Sequence, residues 1–213
     1  MRRTRIKCCG MTRVEDARLA ARLGADAIGV VFTARSKRQV SLLQAREIVA
    51  ALPPFVASVA LFMDDDVDQV RRVLDEVRPT LLQFHGSESD EWCAQFGHPF
   101  LKAIAMGDGA TALSRLRDYP HAAGLLLDGH GAGEAGGSGK SFDWSLIPHD
   151  SAQPLLLAGG LHAGNVGAAI QVARPWAVDV ASGVESAPGI KDAARLADFM
   201  AAVRAADKTE GQS

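Results

Sequence analysis

The chain has 213 residues, of which 47% are hydrophobic and 23% charged, with a formal net charge of -2. That length suits one domain around one large core, and β/α barrels run at about 200 to 250 residues. The near-neutral charge supplies no basic field for nucleic acid or an anionic membrane, so neither partner is expected.

The basic start Met1-Arg2-Arg3-Thr4-Arg5 leads into Ile6-Lys7-Cys8-Cys9-Gly10 without the apolar stretch of a signal peptide. No apolar run reaches the roughly 18 residues of a membrane span, and a cytoplasmic protein is expected. Cys8, Cys9 and Cys93 are odd in number and two are adjacent, which is no disulfide framework. Paired CxxC motifs are missing, so no metal site is expected.

In chain order, short apolar runs predict strands over residues 5–9, 27–31, 57–61, 81–84, 100–105, 124–127, 154–157 and 177–180. Apolar residues at three- and four-residue spacing predict helices over 14–23, 41–52, 67–77, 165–174 and 192–204. The strands recur every ~25 residues, the length of one βα unit. Eight such units fit a single (β/α)8 TIM barrel of parallel strands with an outer ring of helices, spanning residues 1–207. An open doubly wound sheet is the alternative, and it usually has fewer strands. The polar segment 208–213 is expected to be a disordered tail, and the glycine-rich connection 129–141 a mobile loop.

That connection carries two nucleotide-like motifs. Gly131-Ala-Gly133-Glu-Ala-Gly136 matches GxGxxG, but Gly137-Ser138-Gly139-Lys140 opens no stable helix and the later acidic residue is missing. Gly139-Lys140-Ser141 ends like a Walker A loop, whose first glycine would fall where Glu134 stands. Neither is taken as a nucleotide site.

The ends of strands seven and eight are more informative. Leu157-Ala158-Gly159-Gly160 and Asp179-Val180-Ala181-Ser182-Gly183 place glycines and a hydroxyl where barrel loops commonly bind phosphate through backbone N–H groups. The competing reading is tight turns alone. In strand one, successive residues face opposite sides. If Cys9 faces the barrel interior, so do Lys7 and Arg5, whereas the reverse would send Lys7 unpartnered into the layer under the helices, at high cost. Cys9 is therefore expected inside at the catalytic end, with Cys8 packing outside. A small buried apolar role for Cys9 remains the alternative. Closure sets strand eight beside strand one, so Lys7 is expected to pair with Asp179, and a Lys7 ammonium near Cys9 would favour the thiolate.

Asp128 ends strand six, where a carboxylate reads as catalytic more often than as a loop brace. Burial there would raise its pKa. Arg35, Lys37 and Arg38 follow strand two on the same rim and could hold an acidic substrate, or form a solvated loop. His85 is read as a hydrogen-bonded rim residue without a part in the chemistry.

These residues resemble the phosphoribosylanthranilate isomerase family over about residues 6–199. Ile6-Lys7-Cys8-Cys9-Gly10-Met11-Thr12 is similar to its KxCGxT block, with Cys8 where an aliphatic residue is usual. Ser36-Lys37-Arg38 with Ser41 resembles SxRxxS, and Gln83-Phe84-His85-Gly86 resembles QxHG. Gly137-Ser138-Gly139, Phe142-Asp143-Trp144, Ala158-Gly159-Gly160-Leu161 with Asn165-Val166, Asp179 to Glu185, and Gly189-Ile190-Lys191-Asp192 match further blocks in order.

The resemblance implies an Amadori rearrangement of N-(5-phosphoribosyl)anthranilate in tryptophan biosynthesis. It implies Asp128 as general acid at the ring oxygen and Cys9 as general base at C2. Arg38 would anchor the anthranilate carboxylate, Gly159, Gly160, Ser182 and Gly183 the phosphate, with Lys7 and Asp179 in support. No cofactor is implied, because the iminium intermediate is its own electron sink. A histidine-pathway isomerase would use paired aspartates rather than Cys9, and an aldolase would need a reactive lysine such as Lys7. A non-catalytic sugar-phosphate-binding barrel would lack the acid or the base. With no exposed apolar helix face evident, a monomer acting on a small phosphosugar is expected.

Overall fold

The computed structural model describes residues 3–129 and 142–210. Eight strands run parallel in chain order and close into a barrel. They are β1 (Arg5–Cys8), β2 (Ala27–Val31), β3 (Ala57–Phe62), β4 (Leu81–Phe84), β5 (Phe100–Ala105), β6 (Gly124–Asp128), β7 (Leu155–Leu157) and β8 (Ala177–Val180). The (β/α)8 expectation holds, and each strand boundary falls within one residue of its predicted place. Asp128 is the last residue of β6, and Cys9 lies just beyond β1 with its N–H still bonded to the Val180 carbonyl at 2.8 Å.

Helices α1 (Val14–Leu23), α2 (Leu42–Ala50), α3 (Val67–Glu76), α4 (Asp90–Ala94), α5 (Val166–Ala173) and α6 (Ala193–Glu210) surround the barrel. Local chemistry sets their ends. Ser41, predicted as the first helical residue, is instead the N-cap of α2 and forms a reciprocal capping box with Gln44. Asp66 and Ser89 cap α3 and α4 through the backbone N–H groups of Gln69 and Trp92.

Helix α4 was not predicted because five residues carry too little periodicity to register. The 3-10 helix Gly109–Asp118 was missed as well. After β8 comes a small antiparallel pair, β9 (Glu185–Ala187) and β10 (Ile190–Lys191), also unforeseen. Helix α6 runs through Glu210, so three residues of the expected disordered tail 208–213 are helical. The glycine-rich segment 130–141, with both rejected nucleotide motifs and the Gly137-Ser138-Gly139 element, lies outside the described residues.

Alternation along the strands sorts the core into two regions. Ile6, Cys8, Ile28, Val30, Phe62, Phe84, Leu125 and Leu127 point outward and pack under the helices. There the rings of Phe32, Phe62, Phe84, Trp92, Phe96 and Phe100 lie in contact one after another. Val59, Leu101, Ala103, Leu126 and Leu156 fill the barrel interior, with Cys9, Val31 and Leu61 forming its upper layer. Cys9 inside and Cys8 outside is the arrangement expected from strand parity.

Closure rests on β1 pairing with β8, in a register that sets Lys7 opposite Asp179. Their side chains meet at 2.9 Å and are almost wholly buried. Further down the same seam, Asp207 of α6 accepts from the Thr4 backbone N–H at 3.1 Å and its hydroxyl at 2.6 Å.

Removing one partner of a buried pair strands the other charge, at a cost of about 3–5 kcal/mol. Lys7→Met should lose stability of that order, and Lys7→Met with Asp179→Leu should recover much of it. Urea denaturation followed by circular dichroism measures both. A single variant as stable as the parent chain would show that the pair does not brace the seam.

Candidate active site

The C-terminal ends of the strands open onto a cavity lined by Cys9 from β1, Gln83 and His85 from the end of β4, and Asp128 from β6. Ser36 and Arg38 from the loop after β2, Gly159 and Gly160 after β7, and Asp179 and Ser182 at β8 complete its wall. Most of the predicted site residues therefore meet in one place. Gly183 is not among the lining residues, but it governs how the last two loops meet. A Cβ on Gly183 would lie 1.9 Å from the Leu161 carbonyl oxygen, so no other residue lets the loops after β7 and β8 approach this closely. Lys7 lies below the cavity and reaches it through Asp179.

Of the three rim cations, only Arg38 turns into the cavity. Lys37 is exposed, and exposed Arg35 pairs with Asp64 at 3.1 Å. Arg38 is largely buried, and Nε and Nη2 donate to Glu185 Oε1 and Oε2 at 2.8 and 2.7 Å.

Cys9 keeps only 6% of its surface exposed. Its Sγ packs over Gly29, where a Cβ would stand 2.8 Å away. Burial pushes the thiol above its ordinary value, and although Lys7 pulls the other way, burial prevails with help from Asp179. Lys7 thus favours the thiolate, as expected, but burial outweighs it. Burial alone would lower the pKa of the Lys7 ammonium, but Asp179 and the neighbouring Cys9 more than reverse that and keep it charged. Cys8 and Cys93, buried outside the barrel, are pushed up to about 12.

His85 was passed over in the sequence. Its Nε2 stands 3.6 Å from Asp128 Oδ2, and the Gln83 side-chain amide lies 3.2 Å from its Nδ1. With that amide donating to Nδ1, the neutral ring carries its proton on Nε2, the nitrogen that faces Asp128. The available clue was strand parity, because Gln83 and His85 are two residues apart and share the inward face. Glu185 and Lys191 were quoted in motifs without a role, because the antiparallel pair carrying them was not predicted. Among the described residues, no group of three or more His, Cys, Asp or Glu side chains could hold a metal ion. No helix among them is long and apolar enough to cross a membrane.

A family profile for N-(5'-phosphoribosyl)anthranilate isomerase matches residues 6–202. The chain belongs to this family. It is 52% identical to N-(5'-phosphoribosyl)anthranilate isomerase from Nitrosospira multiformis over 199 residues, 93% of this chain and 96% of that one. It is 53% identical to the isomerase from Pseudomonas paraeruginosa over 206 residues, 97% and 98% of the two chains. The solved phosphoribosyl anthranilate isomerase of Thermotoga maritima superposes with a TM-score of 0.86 at 40% identity, covering 95% of this chain and 99% of that one. A further isomerase structure, solved with reduced 1-(o-carboxyphenylamino)-1-deoxyribulose 5-phosphate, matches with a TM-score of 0.85 at 37% identity over 95% and 99%.

The raised thiol has a measurable consequence. Alkylation of Cys9 by iodoacetamide should speed up with pH about a midpoint above the ordinary thiol value of about 8.5. Mass-spectrometric rates across pH 6 to 10 read it out, as the thiolate fraction of such a group rises more than about 300-fold over that range. A midpoint below about 7 would mean that Lys7 outweighs burial.

Proposed function

We propose that Cys9 is the general base and Asp128 the general acid in the isomerisation this chain catalyses. The reaction takes N-(5-phosphoribosyl)anthranilate to 1-(2-carboxyphenylamino)-1-deoxyribulose 5-phosphate, a step of tryptophan biosynthesis. One observation carries the assignment. A thiol and a carboxyl project from the ends of β1 and β6 into one cavity, with an arginine at one wall and glycine-bearing loops at the other.

The chemistry follows from what each group can exchange. Asp128 gives a proton to the furanose ring oxygen, the C1–O bond breaks, and the anilino nitrogen supplies the electron pair that makes the iminium. The Cys9 thiolate then removes the C2 proton, and those electrons flow to the iminium to give an enolamine. Taking up a proton at C1 and releasing the proton of the C2 hydroxyl, the enolamine becomes the ketone. The imidazole of His85 beside Asp128 helps hold the carboxyl in place through the transfer. Arg38 receives the anthranilate carboxylate in a planar, two-point contact. The phosphate sits between the loops bearing Gly159–Gly160 and Ser182–Gly183, with Lys7 and Asp179 supporting Cys9 from beneath.

The enzyme acts in the cytoplasm and as a monomer. Among the described residues only five large apolar side chains are exposed, Leu43, Phe55, Val172, Trp176 and Ile190, and a few exposed apolar side chains are ordinary on monomers.

Cys9→Ala should lower kcat by about 10²- to 10⁴-fold, the usual contribution of a positioned base, while Cys8→Ala should act on stability and leave kcat near the parent value. Asp128→Asn keeps the shape and removes the proton, so its kcat should fall at least as far with substrate still bound. Loss of substrate fluorescence under saturating conditions measures all three. Equal kcat for the two cysteine variants, or near-normal turnover by Asp128→Asn, would overturn the assignment.

A crystal grown with sulfate should hold the anion against Gly160, Ser182 and Gly183. An anion found only elsewhere on the rim would displace the phosphate reading.

A further inference from the structure

The Arg38 guanidinium does not reach the cavity unaided. Its stem crosses Gly10, where a Cβ would lie 2.4 Å from Arg38 Cδ, so the loop after β1 is shaped to let it pass. Its head is then taken edge-on by Glu185, which is held in turn. Lys191 Nζ donates to Glu185 Oε1 at 2.8 Å, to the Cys9 carbonyl at 2.7 Å and to the Ala181 carbonyl at 3.2 Å. The Gly189 N–H adds a bond to Glu185 Oε1 at 3.2 Å. Both Glu185 oxygens are thus engaged. Burial alone would raise this carboxyl, but Arg38 and Lys191 overcome it and hold it below the ordinary value, so it is no proton carrier.

We infer that Glu185 is a positioning residue for substrate recognition, fixing the Nε–Nη2 side of Arg38 so that its outer Nη1–Nη2 edge meets the substrate's aromatic carboxylate. A guanidinium has five donors in one rigid plane, so gripping one edge sets the direction of the other. The charge count agrees. Two cations, Arg38 and Lys191, share one anion, Glu185, and the cluster keeps one positive charge for an incoming carboxylate. Without Glu185, Arg38 would keep its charge but lose its aim. The β9–β10 pair exists to deliver this clasp. Thr12 Oγ1 bonds the Gly189 carbonyl at 2.6 Å, and the Lys191 N–H bonds Asp16 at 3.0 Å, fastening the pair to the loop and helix after β1.

The inference rests on the reading of Arg38 as the carboxylate anchor, and the test separates the two. Inhibition constants are measured for reduced 1-(o-carboxyphenylamino)-1-deoxyribulose 5-phosphate and for its phenylamino counterpart without the carboxylate. Their ratio is the enzyme's preference for the carboxylate. Glu185→Gln should lower that ratio by about 10- to 100-fold, the range for a lost charge-assisted hydrogen bond. The carboxylate-free ligand should hold within about twofold, and Arg38→Lys with Glu185→Gln should do little more than either alone. An unchanged ratio in Arg38→Lys would remove the anchor reading and the inference with it. A ratio lost in Arg38→Lys but kept in Glu185→Gln would overturn the inference alone. Equal weakening of both ligands would mean a general structural role, and tighter binding of the carboxylate would mean that Glu185 competes for Arg38; either result refutes the proposal. Should Glu185→Gln fail to fold, Glu185→Asp keeps the charge on a shorter arm. It should show a smaller loss confined to the carboxylate ligand, and an unchanged ratio there would be equally decisive against it.

Discussion

A buried charge needs a buried counter-charge, and in this barrel that requirement is met across the seam where the sheet closes on itself. Lys7 and Asp179 lie directly opposite in the β1–β8 register, so satisfying the pair and aligning the two strands are one event. A slip of β1 by one residue would turn Lys7 into the apolar layer under the helices and leave Asp179 inside without its counter-charge. The ion pair selects the register more than it adds net stability, since desolvation offsets much of the attraction. Cys9 inherits its position from that choice, two residues beyond Lys7 on the same inward face.

The same seam is held a second time at the rim. Lys191 bonds the carbonyls of Cys9 and Ala181, one from each side of the closure. Its third bond goes to Glu185, the carboxylate that also binds Arg38 at the cavity wall, so one ammonium group ties the barrel closure to the arginine of the cavity. The lower pair also acts on the thiol above it. Burial raises the Cys9 thiol, Lys7 opposes that shift, and Asp179 beside Lys7 adds to it.

Much of this was legible in the sequence. Eight apolar runs at regular spacing gave the barrel, parity placed Cys9 and Lys7 inside, and closure paired Lys7 with Asp179. The features that escaped lack periodicity or depend on partners distant in the chain. Five residues of α4 and two short strands after β8 carry no repeat to read. Glu185 meets Arg38 across 147 residues, a contact that no local pattern announces. The parity argument also had a limit that Lys102 exposes. This lysine does point into the layer under the helices, wholly buried, where Glu88 at 3.2 Å and the Gly86 carbonyl at 2.6 Å receive it. A lysine facing the helices is thus admissible when a partner waits there. The argument succeeded for Lys7 because its partner lay on the inward side.

The bond between Thr4 and Asp207 spans 203 residues, nearly the whole chain. During synthesis the first strand leaves the ribosome long before the helix that fastens it. At about 5–20 residues per second, the delay is on the order of 10 to 40 seconds. Until β8 is made, β1 has at most β2 for a neighbour and an open edge on the other side, its amide and carbonyl groups available to any passing strand. A barrel whose ends meet only when the last strand is made is served by a first strand that is short and interrupted by charge. Arg-Ile-Lys-Cys, four residues with two cations, is such a strand.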